Sequence, residues 1–337
     1  MYKKFSDSIL LPNLIRIREN LIVAKFELMK ILPAKHIIEK ALSNNLIHPG
    51  VPIVETSSGT FALGLGIVCA ELNIPFFIIT DPIIDPALEQ RLKQLGGKVQ
   101  VLSDALKNNN PQQVRLNVLK EYLHEHPKAY WTCQYDNLEN QNAYSPFSDF
   151  LISELGKDFT LVGAVGSGGS TCGTIKSARK KNNIKLIGVD TFGSILFGLK
   201  NQKRILRGLG NSVMPKNLDH ACFDEVHWVN ASDAFLHTRQ LNSQHALFCG
   251  PTTGATYQVA NWIAANNPNE MVVFISADTG HRYQQTVYQD SWLFKNNLHL
   301  PISKMPIEIE HPDKIQDGWL YFKWKRRAYH EVMKVDL

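Results

Sequence analysis

Short apolar runs alternate with longer amphipathic stretches along this chain. Leu21-Ile22-Val23-Ala24-Lys25-Phe26-Glu27-Leu28 predicts a strand, and Leu10 to Ile15 a short apolar entry segment before it. Pro33 suits the first turn of a helix running to Ser43, because Ile37, Ile38, Ala41 and Leu42 recur on one face. Asn44-Asn45 and Pro49-Gly50 end it. Strands are then predicted at 52–55, 75–80, 98–102 and 129–133, with helices at 61–72, 86–95 and 111–126 between them. Gly64 and Gly66 make the first of these helices slim enough for close packing. The second half keeps the rhythm, with strands at 159–165, 185–190, 225–229 and 271–276 and helices at 174–181, 231–242 and 253–265. Strands that alternate with helices predict an α/β fold whose parallel sheets are covered on both faces.

A length of 337 residues allows one large or two medium domains. The composition is 44% hydrophobic and 20% charged, ordinary for a globular chain with a sizeable core. The net charge of +5 is spread out except at Lys323 to Arg327, so it suits acidic small-molecule substrates without demanding a nucleic acid. The segment 296–337 sets Trp319, Tyr321, Trp324 and Tyr329 among basic residues, and reads as a packing or dimer-contact extension rather than a nucleic-acid patch. Five cysteines, an odd number with no pair at metal-ligand spacing, predict reduced thiols in a cytoplasmic protein without a metal site. The N-terminus lacks the apolar core of a signal peptide, and no apolar run approaches a membrane span, so no membrane partner is expected.

Against this background one stretch carries chemistry: Gly163-Ala164-Val165-Gly166-Ser167-Gly168-Gly169-Ser170-Thr171-Cys172-Gly173. An apolar run, Phe159 to Val162, leads in, and a helix-compatible segment from Thr174 leads out. Backbone N–H groups at such a helix start carry partial positive charge and bind a phosphate without a basic side chain. Glycines let the backbone approach closely, and Ser167, Ser170 and Thr171 add hydroxyls. A plain strand-to-helix turn can hold the same glycines. The Gly-x-Gly-Gly spacing is not the dinucleotide fingerprint, and no Gly-Lys-Ser/Thr follows to make a P-loop.

Several turns, taken in order, resemble the fold-type II pyridoxal-phosphate enzymes, the family of cysteine synthase and cystathionine β-synthase. Ser57-Ser58-Gly59-Thr60-Phe61-Ala62 stands where that family has Thr-Ser-Gly-Asn-Thr-Gly, and Gln134-Tyr135-Asp136-Asn137 resembles its Gln-Phe-x-Asn. Gly166 to Gly173 resembles its phosphate cup, and Gly208-Leu209-Gly210 a Gly-Ile-Gly stretch. Gly250-Pro251-Thr252-Thr253-Gly254-Ala255 resembles Gly-Ile-Ser-Ser-Gly-Ala, and Asp278-Thr279-Gly280-His281-Arg282-Tyr283 resembles Asp-Ser-Gly-Glu-Arg-Tyr. Pro33 to Glu39, Asp190 to Gly198 and Tyr288 to Leu293 are similar to one branch, the siderophore-pathway enzymes that join O-phosphoserine to glutamate.

The resemblance implies two three-layer αβα domains with parallel-rich sheets, of the tryptophan synthase β type. Residues 1–44 and 146–295 would form a larger cofactor-binding domain, 45–145 a smaller mobile one, and 296–337 a C-terminal extension. It implies pyridoxal 5'-phosphate, small amino-acid substrates and a homodimer. Gly166, Ser167, Gly168, Gly169 and Ser170 would hold the phosphate, Thr252 would meet the pyridine nitrogen, and Thr60 would lie beside the ring oxygen. A neutral hydroxyl at Thr252 favours β-elimination and β-replacement over transamination; capping of the following helix is its plainer role. Ser57, Ser58, Gly59 and Gln134 would grip the substrate α-carboxylate, although Gln134 also suits a structural role in its loop. The family's Asn-Pro-x-Gly-Ser-x loop before the Schiff-base lysine is missing, since Glu27-Leu28-Met29 runs straight to Lys30. Counting back from Pro33 and from Pro49-Gly50 puts Lys30 at that position, with Lys35 as runner-up by its distance from Glu27; Lys30 also suits a surface lysine at a helix start. The family's Asp-Arg pair is Ile31-Leu32 here. Arg207, His281 and Arg282 are candidates for steering an acidic second substrate, or plain surface charges. The implied reaction is β-replacement on O-phospho- or O-acetyl-L-serine through an α-aminoacrylate, with an amine such as glutamate or a thiol as nucleophile. Cysteine or cystathionine synthesis is the alternative within enzymes, and a catalytically silent relative that binds a partner is the alternative outside them.

Overall fold

The computed structural model describes residues 1–107, 110–180, 182–298, 303–314 and 318–334. In chain order the elements are α1 (Phe5–Ser8), β1 (Asn13–Arg18), β2 (Leu21–Lys25), α2 (Ile31–Ser43), β3 (Ile53–Thr56), α3 (Thr60–Glu71), β4 (Phe76–Thr80), α4 (Pro86–Gln94), β5 (Lys98–Val101), α5 (Pro111–Glu125), β6 (Tyr130–Trp131) and α6 (Glu139–Asn142). They continue with α7 (Ser145–Leu155), β7 (Thr160–Ala164), α8 (Gly169–Ala178), β8 (Lys185–Thr191), β9 (Glu225–Val229), α9 (Ala231–His245), α10 (Pro251–Asn266), β10 (Val272–Ser276), α11 (Asp290–Lys295), β11 (Ile307–Glu308), β12 (Leu320–Phe322) and α12 (Tyr329–Met333). Two compact units result: Met1–Leu10 with Leu28–Ala143, and Leu11–Glu27 with Tyr144–Leu337.

The first unit holds a four-stranded parallel sheet in the order β5-β4-β3-β6. Successive strand residues point to opposite faces. Ile53, Phe76 and Ile78 therefore pack with α2, α3 and α4 through Ile37, Leu65 and Leu88. Val54, Phe77 and Ile79 pack on the other side with Leu119 of α5. That is a three-layer αβα arrangement, as expected. Residues 28–44 belong to this unit and not to the larger one, because α2 buries Ile31, Ala34, Ile37 and Ile38 in the cluster that holds α3. Gly64 of α3 makes the approach possible, since a Cβ there would lie 2.8 Å from the Lys30 carbonyl oxygen. The strand expected at 129–133 is confined to Tyr130–Trp131, because Cys133 turns the chain with a left-handed φ of 50°.

The second unit carries an eight-stranded sheet in the order β1-β2-β10-β7-β8-β9-β12-β11. Strands β2, β10, β7, β8 and β9 run parallel to one another. Leu21, Val23, Val162, Val189 and Phe274 face α9 and α10, packing on Phe235, Leu241, Val259 and Ile263. Helices α7 and α8 pack together, and α8 lies on β7 and β8. The apolar entry segment proves to be β1, which forms an antiparallel hairpin with β2. The helix expected at 174–181 is α8, starting five residues earlier; Lys181 lies outside the described residues. Helix α7, not predicted from the hydrophobic pattern, opens with Pro146 in its first turn. The extension beyond 295 contributes β12, antiparallel to β9, and so completes the sheet of this unit. No helix among the described residues is long and apolar enough to cross a membrane.

Candidate active site

The residues singled out in the sequence divide between the two units. In the second, β7 delivers the chain into the turn 165–168, and Gly168 is the N-cap of α8 with φ 79°. That left-handed backbone favours glycine, and a Cβ at Gly168 would lie 2.6 Å from the carbonyl oxygen of Asn217. No side chain caps α8 and no acidic residue stands in its first turn. The first amides of a helix have no intrahelical partner, so those of Ser170 and Thr171 are left for a ligand. Ser167 and Ser170 are buried in the same turn, with the Ser167 hydroxyl 3.4 Å from the Gly169 amide. Thr171 donates its own hydroxyl to Gly168 O at 3.3 Å and so closes the turn from within.

The Gly208-Leu209-Gly210 stretch lies against this turn. The Gly210 amide donates to Val165 O at 2.7 Å, and Asn211 Nδ2 reaches Gly166 O at 3.5 Å. Gly208, at φ 88°, packs on Thr252, where a Cβ would be 2.7 Å from the threonine methyl. The structure thus brings 166–170, 208–211 and Thr252 together. Gly250, not Thr252, is the N-cap of α10, and Thr252 lies in the helix's first turn. Thr253 is committed to Ser276 through a 3.0 Å hydroxyl pair.

Asp278 is buried and accepts from the Tyr283 hydroxyl at 2.8 Å. Burial raises its pKa, with Arg282 and Tyr283 opposing. Arg282 lies over the Tyr283 ring at 5.7 Å, and His281 pairs with Thr279 Oγ1 at 3.0 Å. His281 also lies edge-on to the Phe248 ring at 5.2 Å. Arg207 is exposed.

In the first unit, Gly59 is the N-cap of α3 and Thr60 its first residue. No side chain caps this helix and its first turn carries no acid, so nothing in that turn opposes an anion at its first amides. Ser57 Oγ accepts from the Gly59 amide at 3.3 Å. Gln134 is buried and donates Nε2 to Thr56 O at 3.3 Å, so the structure sets it beside this loop.

Lys30 is the N-cap residue of α2. Burial lowers the pKa of its amine to about 8. Lys35 is engaged by Asp7 at 3.1 Å and Glu39 at 2.5 Å. Burial alone would lower the Lys35 pKa, but those two carboxylates together hold it above the ordinary value. Of the two lysines, only Lys30 has the depressed pKa that an amine nucleophile needs.

Sequence reasoning passed over two buried charges here. Glu55 of β3 is 1% exposed and accepts from four donors of its own unit. Burial raises its pKa, against the opposing effect of those hydrogen bonds. Arg115 of α5 is buried with its Nη1 3.3 Å from Asp81 Oδ2, yet its Nε and Nη1 make no hydrogen bond among the described residues. The available signals were a carboxylate inside an apolar strand and a cation on the buried stripe Gln112, Arg115, Leu119.

The cup of the second unit fits a phosphate ester beside a ring: helix amides at an uncapped start, a turn closed to side chains, and Thr252 packed against Gly208. Comparison with known proteins agrees. The family model for pyridoxal-phosphate dependent enzymes matches residues 29–278. N-(2-amino-2-carboxyethyl)-L-glutamate synthase of Ralstonia nicotianae is 30% identical over 266 residues, covering 77% of this chain and 78% of its own. A putative cysteine synthase of Sinorhizobium fredii is 30% identical over 304 residues, covering 88% and 87%. Among solved structures, the O-acetylserine dependent cystathionine β-synthase of Helicobacter pylori has a TM-score of 0.78 at 21% identity, covering 86% of this chain and 99% of that one. Cysteine synthase of Entamoeba histolytica has a TM-score of 0.79 at 20% identity, covering 89% and 96%. The chain belongs to the pyridoxal-phosphate-dependent enzymes, in the fold-type II group that includes cysteine synthase.

Proposed function

We propose that this enzyme carries out β-replacement on an activated L-serine, O-phospho- or O-acetyl-L-serine, with an amine of the glutamate type as nucleophile. The observation that carries this reading is the cup of α8, uncapped and free of acids, with Thr252 packed against Gly208. Bound there, pyridoxal phosphate supplies an electron sink for the α-carbon of an amino acid. Gly166 to Ser170 hold its phosphate through backbone amides and hydroxyls. Thr252 would meet the pyridine nitrogen, where a neutral hydroxyl would leave it unprotonated and favour loss of the β-substituent. Thr60 lies at the position beside the ring oxygen. Lys30 would be the amine that holds the cofactor's carbonyl end and the base that takes the α-proton. Ser57, Ser58, Gly59 and Gln134 hold the substrate α-carboxylate. Arg115, a buried guanidinium with N–H groups to spare, is the cation for an acidic group of the substrates.

The Ralstonia and Cupriavidus relatives named for N-(2-amino-2-carboxyethyl)-L-glutamate synthesis favour the amine nucleophile. The Sinorhizobium relative favours a second reading, with a sulfur nucleophile. A catalytically silent role finds no support among these relatives. The reading also carries a homodimer located in the cytoplasm, in keeping with five free thiols.

The test is product analysis. The loaded enzyme is given O-phosphoserine or O-acetylserine with glutamate or sulfide, and the products are weighed by mass spectrometry. A glutamate adduct is the expected result. Cysteine alone selects the sulfur reading, and no product from any pair overturns both.

A further inference from the structure

Glu55 has no place in the chemistry above, yet its carboxylate is the most heavily bonded buried acid of the first unit. Its Oε1 accepts from the Thr56 amide at 2.6 Å and from Trp131 Nε1 at 3.3 Å. Its Oε2 accepts from Thr132 Oγ1 at 2.6 Å and from the Gln134 amide at 3.1 Å. Four donors on an acceptor-only group leave no room for a neutral substitute that carries hydrogens of its own.

The donors come from two separate segments. Thr56 leads directly into the Ser57–Thr60 turn, whereas Trp131, Thr132 and Gln134 belong to the other proposed carboxylate-binding segment. Between Thr132 and Gln134 sits Cys133 with φ 50°, a left-handed backbone that a residue with a Cβ adopts only when its surroundings impose it. Both flanking residues are tied to the same oxygen, Glu55 Oε2. The far side of the loop is fixed as well, by Asn140 Nδ2 on Gln134 O at 2.6 Å and Asn137 Nδ2 on Thr132 O at 3.1 Å. Gln134 Nε2 then returns to Thr56 O at 3.3 Å and closes the ring.

We infer that Glu55 is a positioning residue: its carboxylate clamps the 57–60 turn to the 132–134 turn, holding Cys133 in its left-handed state and Gln134 where it serves the amino-acid carboxylate. The clamp rests on the proposed role of those two segments in substrate binding. It touches neither substrate nor cofactor. Its loss affects affinity for the amino acid, and leaves untouched the capture of the cofactor by Lys30 and the 166–170 cup.

The experiment uses full-length enzyme loaded with pyridoxal phosphate, in the wild type and in Glu55→Gln, Glu55→Asp and Thr132→Val. Cofactor affinity, KM for O-phosphoserine and kcat are measured for each. In Glu55→Gln the new amide hydrogens face the Gln134 and Thr132 donors, and KM rises about 10- to 100-fold, as expected for a lost charge-assisted pair of bonds. Cofactor affinity stays within about twofold, and kcat falls less than KM rises. Thr132→Val removes one donor without disturbing β3, and reports the same direction if Glu55→Gln does not fold. Glu55→Asp keeps the charge and recovers part of the affinity. Unchanged KM in both Glu55→Gln and Thr132→Val overturns the clamp, as does a parallel loss of cofactor affinity. A wild type that neither captures the cofactor nor binds any amino acid overturns the functional reading itself, which is a different outcome.

Discussion

Two lysines five positions apart face opposite electrostatic fates. Lys35 lies between Asp7 and Glu39, which stabilise its charged form, whereas burial of Lys30 favours the neutral amine. Borohydride reduction of the cofactor-loaded protein should therefore label Lys30. Lys30→Ala abolishes the label and lowers turnover by at least about a hundredfold, the usual worth of a positioned base, while Lys35→Ala keeps both. Mass spectrometry of the labelled peptide decides, and a label on Lys35 reverses the assignment. The pH dependence follows with a definite sign. With its folded pKa lowered to about 8, Lys30 is largely protonated below that value and neutral above it. Initial rates of covalent cofactor capture should climb up to about pH 8 and level off beyond it, well below the plateau of an ordinary lysine, whose pKa lies near 10.4. A rate that keeps climbing through about pH 9 without levelling off would place the amine outside its buried setting.

At the scale of elements, the uncapped start of α8 is the feature on which the proposed cofactor binding depends. Gly168→Ala forces a Cβ into the left-handed region and towards the Asn217 carbonyl. The turn must shift, and affinity for pyridoxal phosphate, measured by fluorescence titration, should fall at least about tenfold. Most of this element was legible beforehand: Gly166 to Gly173 between an apolar run and a polar one marked a strand, a turn and a helix. The helix start was misread by five residues because glycine and serine are poor helix formers, and the packing of α8 on β7 and β8 overrides that preference. The turn at Ser57 to Thr60, between the strand and the helix expected on either side of it, was legible too. Glu55 and Arg115 were not, since only the fold shows that a lone charge in an apolar strand or helix stripe is buried with its partners. The place of residues 28–44 was also hidden. It depends on α2 meeting α3, a contact no local pattern encodes.

On the scale of the whole molecule, the aromatic segment near the C-terminus was read as a packing or contact extension, and in the second unit it packs. Trp324 is fully buried, edge-on to Phe197 at 5.2 Å, with its indole N–H on Arg327 O at 2.7 Å. Trp324→Ala should cost about 3–5 kcal/mol of stability, the usual range for emptying so large a buried site. Calorimetric unfolding of the variant against the wild type measures it, and a loss below about 1 kcal/mol would mean that the segment is only loosely attached. The neighbouring contact, Trp319 Nε1 on His227 Nδ1 at 3.0 Å, joins residues 92 positions apart. Until Leu320 to Phe322 arrive beside Val226 to Trp228, one margin of β9 has its ladder groups open to any passing strand. A newly made chain therefore spends the interval between synthesis of β9 and synthesis of β12 with a sticky flank, and a ribosome that stalls in that interval would leave a product prone to join its own kind.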